Sequence, residues 1–332
     1  MLTVGLVVLI AVALAFDFTN GFHDAANAVA VSITTRALRP LTALAMAAAL
    51  NVVGALISTK VAATVGKGII TAPTGTHGLV IVFAALMGGI VWNLVTWWFG
   101  LPSSSTHALI GGLVGAAIAS GSTVKWHGLT DKVVLPMAVS PVIGLALGYL
   151  LMVLILWVFR RARPAEANSR FRHAQTLSTA AMAFSHGTQD AQKTMGVIAL
   201  ALIATGHLDG FHIPLWVILS AASAMGLGTL AGGWRVIRTL GSRITALDPA
   251  RGFAAQTSAS AVLLVSAYAY AMPVSSTHVM TSSIMGVGAT RRLNAVRWGV
   301  ARQVMTAWIL TIPGAAIAGW LSYYLAHAIV RR

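Results

Sequence analysis

Two aspartates lie in matching contexts inside otherwise apolar sequence. Asp24 lies in TNGFHDAANAV, residues 19–29, and Asp190 lies in SHGTQDAQKTM, residues 185–195. The segments align at an offset of 166 residues (190 minus 24), which also places Gly21 on Gly187. A carboxylate within an apolar segment is costly unless it is paired or hydrated, so it is a candidate for binding an ion or a substrate.

The chain has seven acidic residues, and the remaining five are less informative. Asp17 also lies in apolar sequence, but position 183 offers it no acidic counterpart. A structural role in capping a helix and a functional role both stay open for it. The other four acids fall in predicted loops: Asp131, Glu166, Asp209 and Asp248.

A second motif also occurs twice. LPSSSTH at 101–107 matches MPVSSTH at 272–278, at an offset of 171 residues (278 minus 107). Pro102 and Pro273 break or start helices. Hydroxyls and the N–H groups of a first helical turn suit a tetrahedral oxyanion. A single motif of this kind is more often an ordinary helix cap, but the duplication favours ligand binding by Ser104, Ser105, Thr106, Ser275, Ser276 and Thr277.

The composition identifies an integral membrane protein. Of 332 residues, 57% are hydrophobic and 9% are charged, and the mean hydropathy is +0.82; a typical soluble domain has roughly 25% charged residues. Several stretches are long enough to cross the membrane as helices, namely 41–58, 78–99, 133–159, 214–231, 250–271 and 298–330. We interpret the N-terminal apolar run, which lacks a cleavage site, as retained. The absence of cysteine excludes disulfides and thiolate metal sites.

The net charge of +15 comes from clusters rather than from one continuous patch. Nucleic-acid binding would use a basic surface, but these clusters fall in loops between apolar segments. That is the positive-inside pattern and predicts three cytoplasmic loops. The clusters are 160–172, 235–243 and 291–297.

The glycines and polar residues beside Asp24 and Asp190 predict that both helices are interrupted there. Freed N–H groups would attract an anion, and carboxylates with freed carbonyls would bind a cation. Equivalent loops of the two halves differ in charge, which indicates an inverted-topology repeat. The prediction is an all-α polytopic membrane protein with broken helices or re-entrant hairpins at the midplane. Its parts are a first half 1–160, a basic cytoplasmic linker 161–175 and a second half 176–332.

Other polar residues accompany the motifs. Lys193 stands where the first half has Asn27, and we expect it to pair with an acid or an anion. His23 and His186 do not align with each other, and we expect them to support the ligand residues. His107 and His278 either hydrogen-bond nearby backbone or handle substrate or protons.

These paired motifs resemble the inorganic phosphate transporter family, in its bacterial low-affinity permease type. NGFHDAANAVA and AFSHGTQDAQKTMGVIAL resemble its duplicated signature, and GLPSSSTH with MPVSSTH its second motif. The resemblance covers nearly the whole chain. It implies a homodimeric secondary transporter in the cytoplasmic membrane that moves phosphate with a coupling cation. The expected substrate ligands are Asp24, Asn27, Ser104, Ser105, Thr106, Asp190, Lys193, Ser275, Ser276 and Thr277, and the expected coupling-ion ligands are Asn20, His23, Asp24, Gln189 and Asp190.

The chain departs from the family pattern where sodium-coupled relatives carry acids, because it has Asn51 and Gln256 there. We therefore expect coupling to H⁺, or phosphate carried as a complex with Mg²⁺ or Ca²⁺, and no resident metal or cofactor. Sodium coupling and sulfate as substrate stay open. A metallohydrolase using His23, Asp24 and Asp190 is disfavoured because the motifs are duplicated. A passive anion channel is disfavoured by the two carboxylates.

Overall fold

The computed structural model describes residues 2–68 and 74–330, and this part of the chain is helical without strands. The all-α prediction is confirmed. The helices are α1 Leu2–Thr34, α2 Pro40–Ile57, α3 Lys60–Gly68, α4 Gly75–Trp98, α5 Ser105–Ser120, α6 Trp126–Leu129, α7 Leu135–Val158, α8 Pro164–Ala204, α9 Leu215–Ala231, α10 Trp234–Arg238, α11 Pro249–Tyr268, α12 Ser276–Ala289 and α13 Trp298–Val330. A π-helical turn, Thr130–Val134, joins α6 to α7, and another, Thr239–Arg243, follows α10.

The described residues contain five helices long and apolar enough to cross a membrane, or six if the bent pair α9 and α10 forms one span. The protein is therefore a multi-pass membrane protein. The predicted stretch 250–271 is helix α11, which is not among these spans. It carries several buried polar side chains, such as Gln256 and Ser260, which make it less apolar than the helices that qualify.

The predicted interruption of the helices at the two aspartates is wrong. Both α1 and α8 run without a break through Asp24 and Asp190. The glycines serve close packing instead: a Cβ on Gly21 would collide with the carbonyl oxygen of Met225 in α9, and one on Gly187 with that of Asn51 in α2. Small residues let membrane helices approach closely, and this packing outweighs the weak helix propensity of glycine.

Breaks occur instead before the two Ser-Ser-Thr-His motifs. Residues 99–104 join α4 to α5, and residues 269–275 join α11 to α12. Helix α5 starts near Trp308 and runs along α13, since a Cβ on Gly115 would collide with Ala316. Helix α12 ends near the loop before α11, where Gly288 meets Thr245. The two short helices therefore start centrally and run towards opposite faces, as an inverted repeat predicts.

The two halves of the chain are interleaved rather than packed separately. Helix α1 packs against α9, and α2 packs against α8. The end of α1 meets the beginning of α8, where Thr35 Oγ1 lies 2.7 Å from Gln175 Oε1, so these long helices are antiparallel. Helix α8 begins at Pro164, so the segment 161–175 predicted as a linker is helical from that residue onwards. The division into symmetric halves stays a prediction.

The three basic clusters lie on one face of the molecule. Arg297 Nη1 donates to the Ser242 carbonyl at 3.1 Å, and Arg291 pairs with Asp248 at 3.1 Å. The rings of Phe171 and Phe253 lie 5.6 Å apart, which brings the start of α8 to the same face. We call this the basic face; the positive-inside rule predicts that it faces the cytoplasm, and this orientation stays a prediction.

Candidate functional site

Each of the two short helices, α5 and α12, places one serine against one of the two aspartates at the centre of the molecule. Ser105 Oγ, in the first turn of α5, donates to Asp24 Oδ2 at 2.9 Å. Ser276 Oγ, in the first turn of α12, donates to Asp190 Oδ2 at 2.8 Å. The duplicated motifs thus make the same contact in both halves, and the predicted meeting of aspartates and hydroxyls is present.

Residues from the two halves also contact each other directly. Asn27 Nδ2 donates to Thr277 Oγ1 at 2.9 Å and to Ser276 Oγ at 3.3 Å. Thr277 Oγ1 in turn donates to Asp24 Oδ1 at 3.4 Å. The start of α12 therefore connects with both carboxylates, and the site forms as one unit between the halves.

Two histidines contact the carboxylates rather than supporting them from a distance. His186 Nε2 lies 2.7 Å from Asp190 Oδ2 and 4.0 Å from Asp24 Oδ2, so it stands between the two acids. His23 Nδ1 lies 2.8 Å from Asp24 Oδ1. Sequence alignment gave His186 a lesser role because no histidine faces it across the repeat.

Lys193 makes the expected pairing with an acid. Its ammonium group forms an ion pair with Asp190, and its side chain is buried. Its repeat counterpart Asn27 instead donates to hydroxyls. The two halves therefore share their aspartates and serines but differ in charge one helical turn later.

Ser104 and Ser275 act as helix caps. Their hydroxyls accept from the backbone N–H groups of His107 and His278, each at 3.2 Å. These caps fix the N-termini of α5 and α12 beside the carboxylates. The first N–H groups of a helix lack partners within the helix and carry partial positive charge, which favours an anion at this place. Thr106 is buried in the first turn of α5.

Two predicted coupling-ion ligands lie away from this centre. Gln189 turns towards α11, where its Nε2 donates to Ser266 Oγ at 2.9 Å and to the Leu263 carbonyl at 3.1 Å. Asn20 lies beside Asp17, which is buried between α1 and α8 next to Thr194. Gln189 precedes Asp190 directly and so points to another side of α8, whereas Asn20 shares a face of α1 with Asp24 but lies one helical turn earlier.

Other members of the site had no signal in the sequence. Thr96 Oγ1 lies 3.2 Å from His23 Nε2 and 2.7 Å from Ser103 Oγ, and it extends the network into α4. The ring of His278 lies 4.8 Å from that of His107 and stacks at 4.0 Å on Trp308. In the sequence, a threonine and a tryptophan within apolar helices cannot be told apart from ordinary lipid-facing or core residues. Only the fold shows that they lie next to the site.

Neutral amides occupy the two positions at which the resemblance associates acids with sodium-coupled relatives. Asn51 Nδ2 donates to Thr229 Oγ1 at 2.9 Å. Gln256 Nε2 donates to the Ala28 carbonyl at 2.8 Å, and its Oε1 accepts from Ser178 at 3.0 Å. Both amides bind protein groups and add no negative charge.

The arrangement is suited to holding an anion and a cation together. Oxygen and nitrogen atoms of Asp24, His186 and Asp190 lie within 4.8 Å of one another, close enough to hold one metal ion. The hydroxyls and helix N-termini beside them suit an oxyanion. None of the contacting side chains is more than 2% exposed, so the site is closed to both faces.

Comparison with known proteins identifies a single family. A sequence model of the Phosphate transporter family matches residues 20–170 and 160–319. A probable low-affinity inorganic phosphate transporter of Rhizobium meliloti is 48% identical, covering 98% of this chain and 97% of its own. A protein of the same name from Bacillus subtilis is 41% identical, covering 97% of both chains.

The fold is also similar to that of a solved structure, called "The sodium-dependent phosphate transporter". The TM-score is 0.88 at 23% sequence identity, covering 98% of this chain and all of the other. This likeness concerns the fold alone. Because the family model matches most of the sequence and relatives above 40% identity match along nearly its full length, the chain belongs to the phosphate transporter family.

Proposed function

We propose that this protein is a secondary transporter that carries inorganic phosphate across the cytoplasmic membrane together with cations. The observation that carries the proposal is the convergence of the N-termini of α5 and α12 on Asp24 and Asp190 through Ser105 and Ser276. Phosphate binds where these hydroxyls and first-turn N–H groups meet, between the two halves. Family membership supports a phosphate permease.

The charges of the site call for an accompanying cation. Two carboxylates, Asp24 and Asp190, and one ammonium, Lys193, leave one negative charge when the histidines are neutral. A bound phosphate anion adds further negative charge in a closed site, where unpaired charge is costly. The inside-negative membrane potential opposes anion entry by about 2.3 kcal/mol per elementary charge per 100 mV. Cations must therefore travel with the phosphate.

Protons are the coupling cation we favour. His23 and His186 contact the carboxylates directly, and their ring nitrogens offer positions that a proton can occupy. Asn51 and Gln256 are neutral where the resemblance associates sodium coupling with acids, and bare hard cations prefer charged oxygen ligands. Sodium coupling and sulfate transport are the alternatives. The assembly of two copies into a homodimer stays a prediction.

A second form of the substrate is a complex of phosphate with a divalent cation. The cluster of Asp24, His186 and Asp190 favours it, because these side chains offer ligands to one metal ion. The metal would then be cargo released with the phosphate. Mg²⁺ and Ca²⁺, which prefer oxygen ligands, would bind through the two carboxylates and the phosphate oxygens.

Uptake of labelled phosphate into proteoliposomes under separately imposed gradients tests the coupling. We expect uptake to persist without sodium, to rise when the outside is acidified, and to collapse with a proton ionophore. Addition of Mg²⁺ or Ca²⁺ should raise it further if the complex is carried. Strict dependence on sodium that a proton ionophore leaves unchanged would refute proton coupling.

A further inference from the structure

A small cavity on the basic face is lined by arginines and contains no acidic side chain. It has a volume of about 240 Å³, and its lining residues are Trp98, Phe99, Gly100, Arg235, Arg238 and Arg243. It lies at the end of α4, where the connection to α5 begins. It is therefore separate from the central carboxylate site.

The backbone brings the three guanidinium groups together. Arg235 and Arg238 are three residues apart in α10 and so share one side of that helix. Arg243 ends the π-helical turn that follows. Arg235 is held in place, because its guanidinium lies 4.3 Å from the ring centroid of Trp98 and donates to the Trp98 carbonyl.

No carboxylate in the described part of the chain forms an ion pair with these arginines. Asp248, the nearest acid in sequence, pairs with Arg251 and Arg291 instead. Three like charges around a small cavity repel one another, and an anion between them removes that repulsion. The positive charge around the cavity is thus not balanced by a carboxylate, and an anionic ligand would balance it.

The chemistry of the lining suits a phosphate group. The planar guanidinium presents paired N–H donors that match phosphate oxygens. Trp98 and Phe99 are 61% and 67% exposed, and exposed tryptophans are enriched at the level of the lipid headgroups. We propose that this arginine cavity binds a phosphate group at the membrane surface, presented by an anionic phospholipid headgroup or by free orthophosphate.

A ligand in the cavity would act on the connection that leads to the central site. Gly100 lines the cavity with a left-handed backbone, φ +64°, and its carbonyl accepts from Thr239 Oγ1 at 2.7 Å. Ser105, five residues later, donates to Asp24. A ligand in the cavity would therefore hold the start of the α4–α5 connection, at Gly100, against the segment that follows α10.

The test compares two double variants of purified protein. Arg238→Gln with Arg243→Gln removes two cavity charges; Arg170→Gln with Arg172→Gln removes two exposed charges from α8 on the same face. One arm measures the shift in thermal unfolding midpoint when phosphatidylglycerol is added to protein in phosphatidylcholine–detergent micelles. The other arm measures equilibrium binding of labelled orthophosphate without anionic lipid.

We expect the cavity variant to bind its ligand about tenfold more weakly, or about 1.4 kcal/mol, while the α8 variant behaves like wild type. Loss confined to the phosphatidylglycerol arm identifies a lipid headgroup. A fall from two bound orthophosphates to one identifies free phosphate. If both variants respond like wild type in both arms, the proposal is overturned. Should the double cavity variant not elute as a single species, Arg243→Gln alone takes its place.

Discussion

The two aspartates have the same serine contact but different neighbours. Asp190 is flanked by the ammonium of Lys193 and by His186, whereas Asp24 contacts His23 and the hydroxyls of Ser105 and Thr277. The negative charge of Asp190 is thus already balanced inside the protein. We infer that Asp24 is the carboxylate more available to a transported cation.

This difference separates the effects of neutralising each acid. Asp24→Asn and Asp190→Asn should each nearly abolish phosphate uptake in proteoliposomes. Asp190→Asn should also lower the thermal midpoint, because it leaves Lys193 buried without its partner, a loss of about 3–5 kcal/mol. Adding Lys193→Met to Asp190→Asn should recover most of that stability without restoring uptake. Normal transport by either single variant would remove its aspartate from the site.

The hydroxyls of the two short helices should differ in their effect on phosphate binding. Ser276 and Thr277 contact Asp190, Asp24 and Asn27, while Ser105 contacts Asp24. The pair Ser276→Ala and Thr277→Ala should therefore weaken binding more than Ser105→Ala with Thr106→Ala, by about 1–3 kcal/mol for each buried partner left unpaired.

The loss of phosphate binding in the two double variants is measured as a rise in the half-saturation concentration for phosphate uptake. Ser120→Ala is the matched control, since this hydroxyl lies at the far end of α5 and bonds to the Ala117 carbonyl and to Ser122. Unchanged half-saturation in both double variants would show that these hydroxyls are structural only.

At the scale of elements, the sequence predicted which residues meet but not how the helices carry them. The duplicated motifs predicted that Asp24 and Asp190 share one site with the two Ser-Ser-Thr segments, but not that Ser105 pairs with Asp24 and Ser276 with Asp190. The uninterrupted path of α1 and α8 was not predicted either, because Gly21 and Gly187 have the same sequence signature whether they break a helix or let another helix approach. Only the positions of Met225 and Asn51 distinguish these roles, and those depend on tertiary packing. The contacts of His186 and Trp308 were unpredictable for the same reason.

The packing role of these glycines can be tested directly. Gly21→Ala places a Cβ against the backbone of Met225, so we expect α1 and α9 to separate and the unfolding midpoint in detergent to fall. Gly5→Ala in the same helix is the control, since its Cβ would meet Leu79 Cδ1 at an ordinary 3.4 Å. If Gly21 instead serves as a flexible break, Gly21→Ala should stabilise the helix and raise the midpoint.

At the scale of the whole molecule, the site is closed, and the two helices that begin at it, α5 and α12, run to opposite faces. The first turns of α5 and α12 meet at the carboxylates, and α5 runs away from the basic face while α12 runs towards it. The site residues are buried from both sides. If phosphate binds here as proposed, it enters or leaves only when one group of helices moves relative to the other, as in inverted-repeat transporters. The order of motifs indicated the repeat, but the closure depends on the interleaving of α1 with α9 and α2 with α8.

A closed carrier and a passive channel differ in how flux responds to substrate on the far side. Each transport cycle requires the binding site to face first one side of the membrane and then the other. We expect the site to reorient faster with phosphate bound than without it. Proteoliposomes preloaded with unlabelled phosphate should therefore take up labelled phosphate faster than empty ones, with a transient accumulation above equilibrium. Asp24→Asn vesicles serve as the control for leak. Equal initial rates in loaded and empty vesicles, without that transient, would indicate a continuous pore, and the two buried carboxylates would then need a role other than carrying a coupled cation.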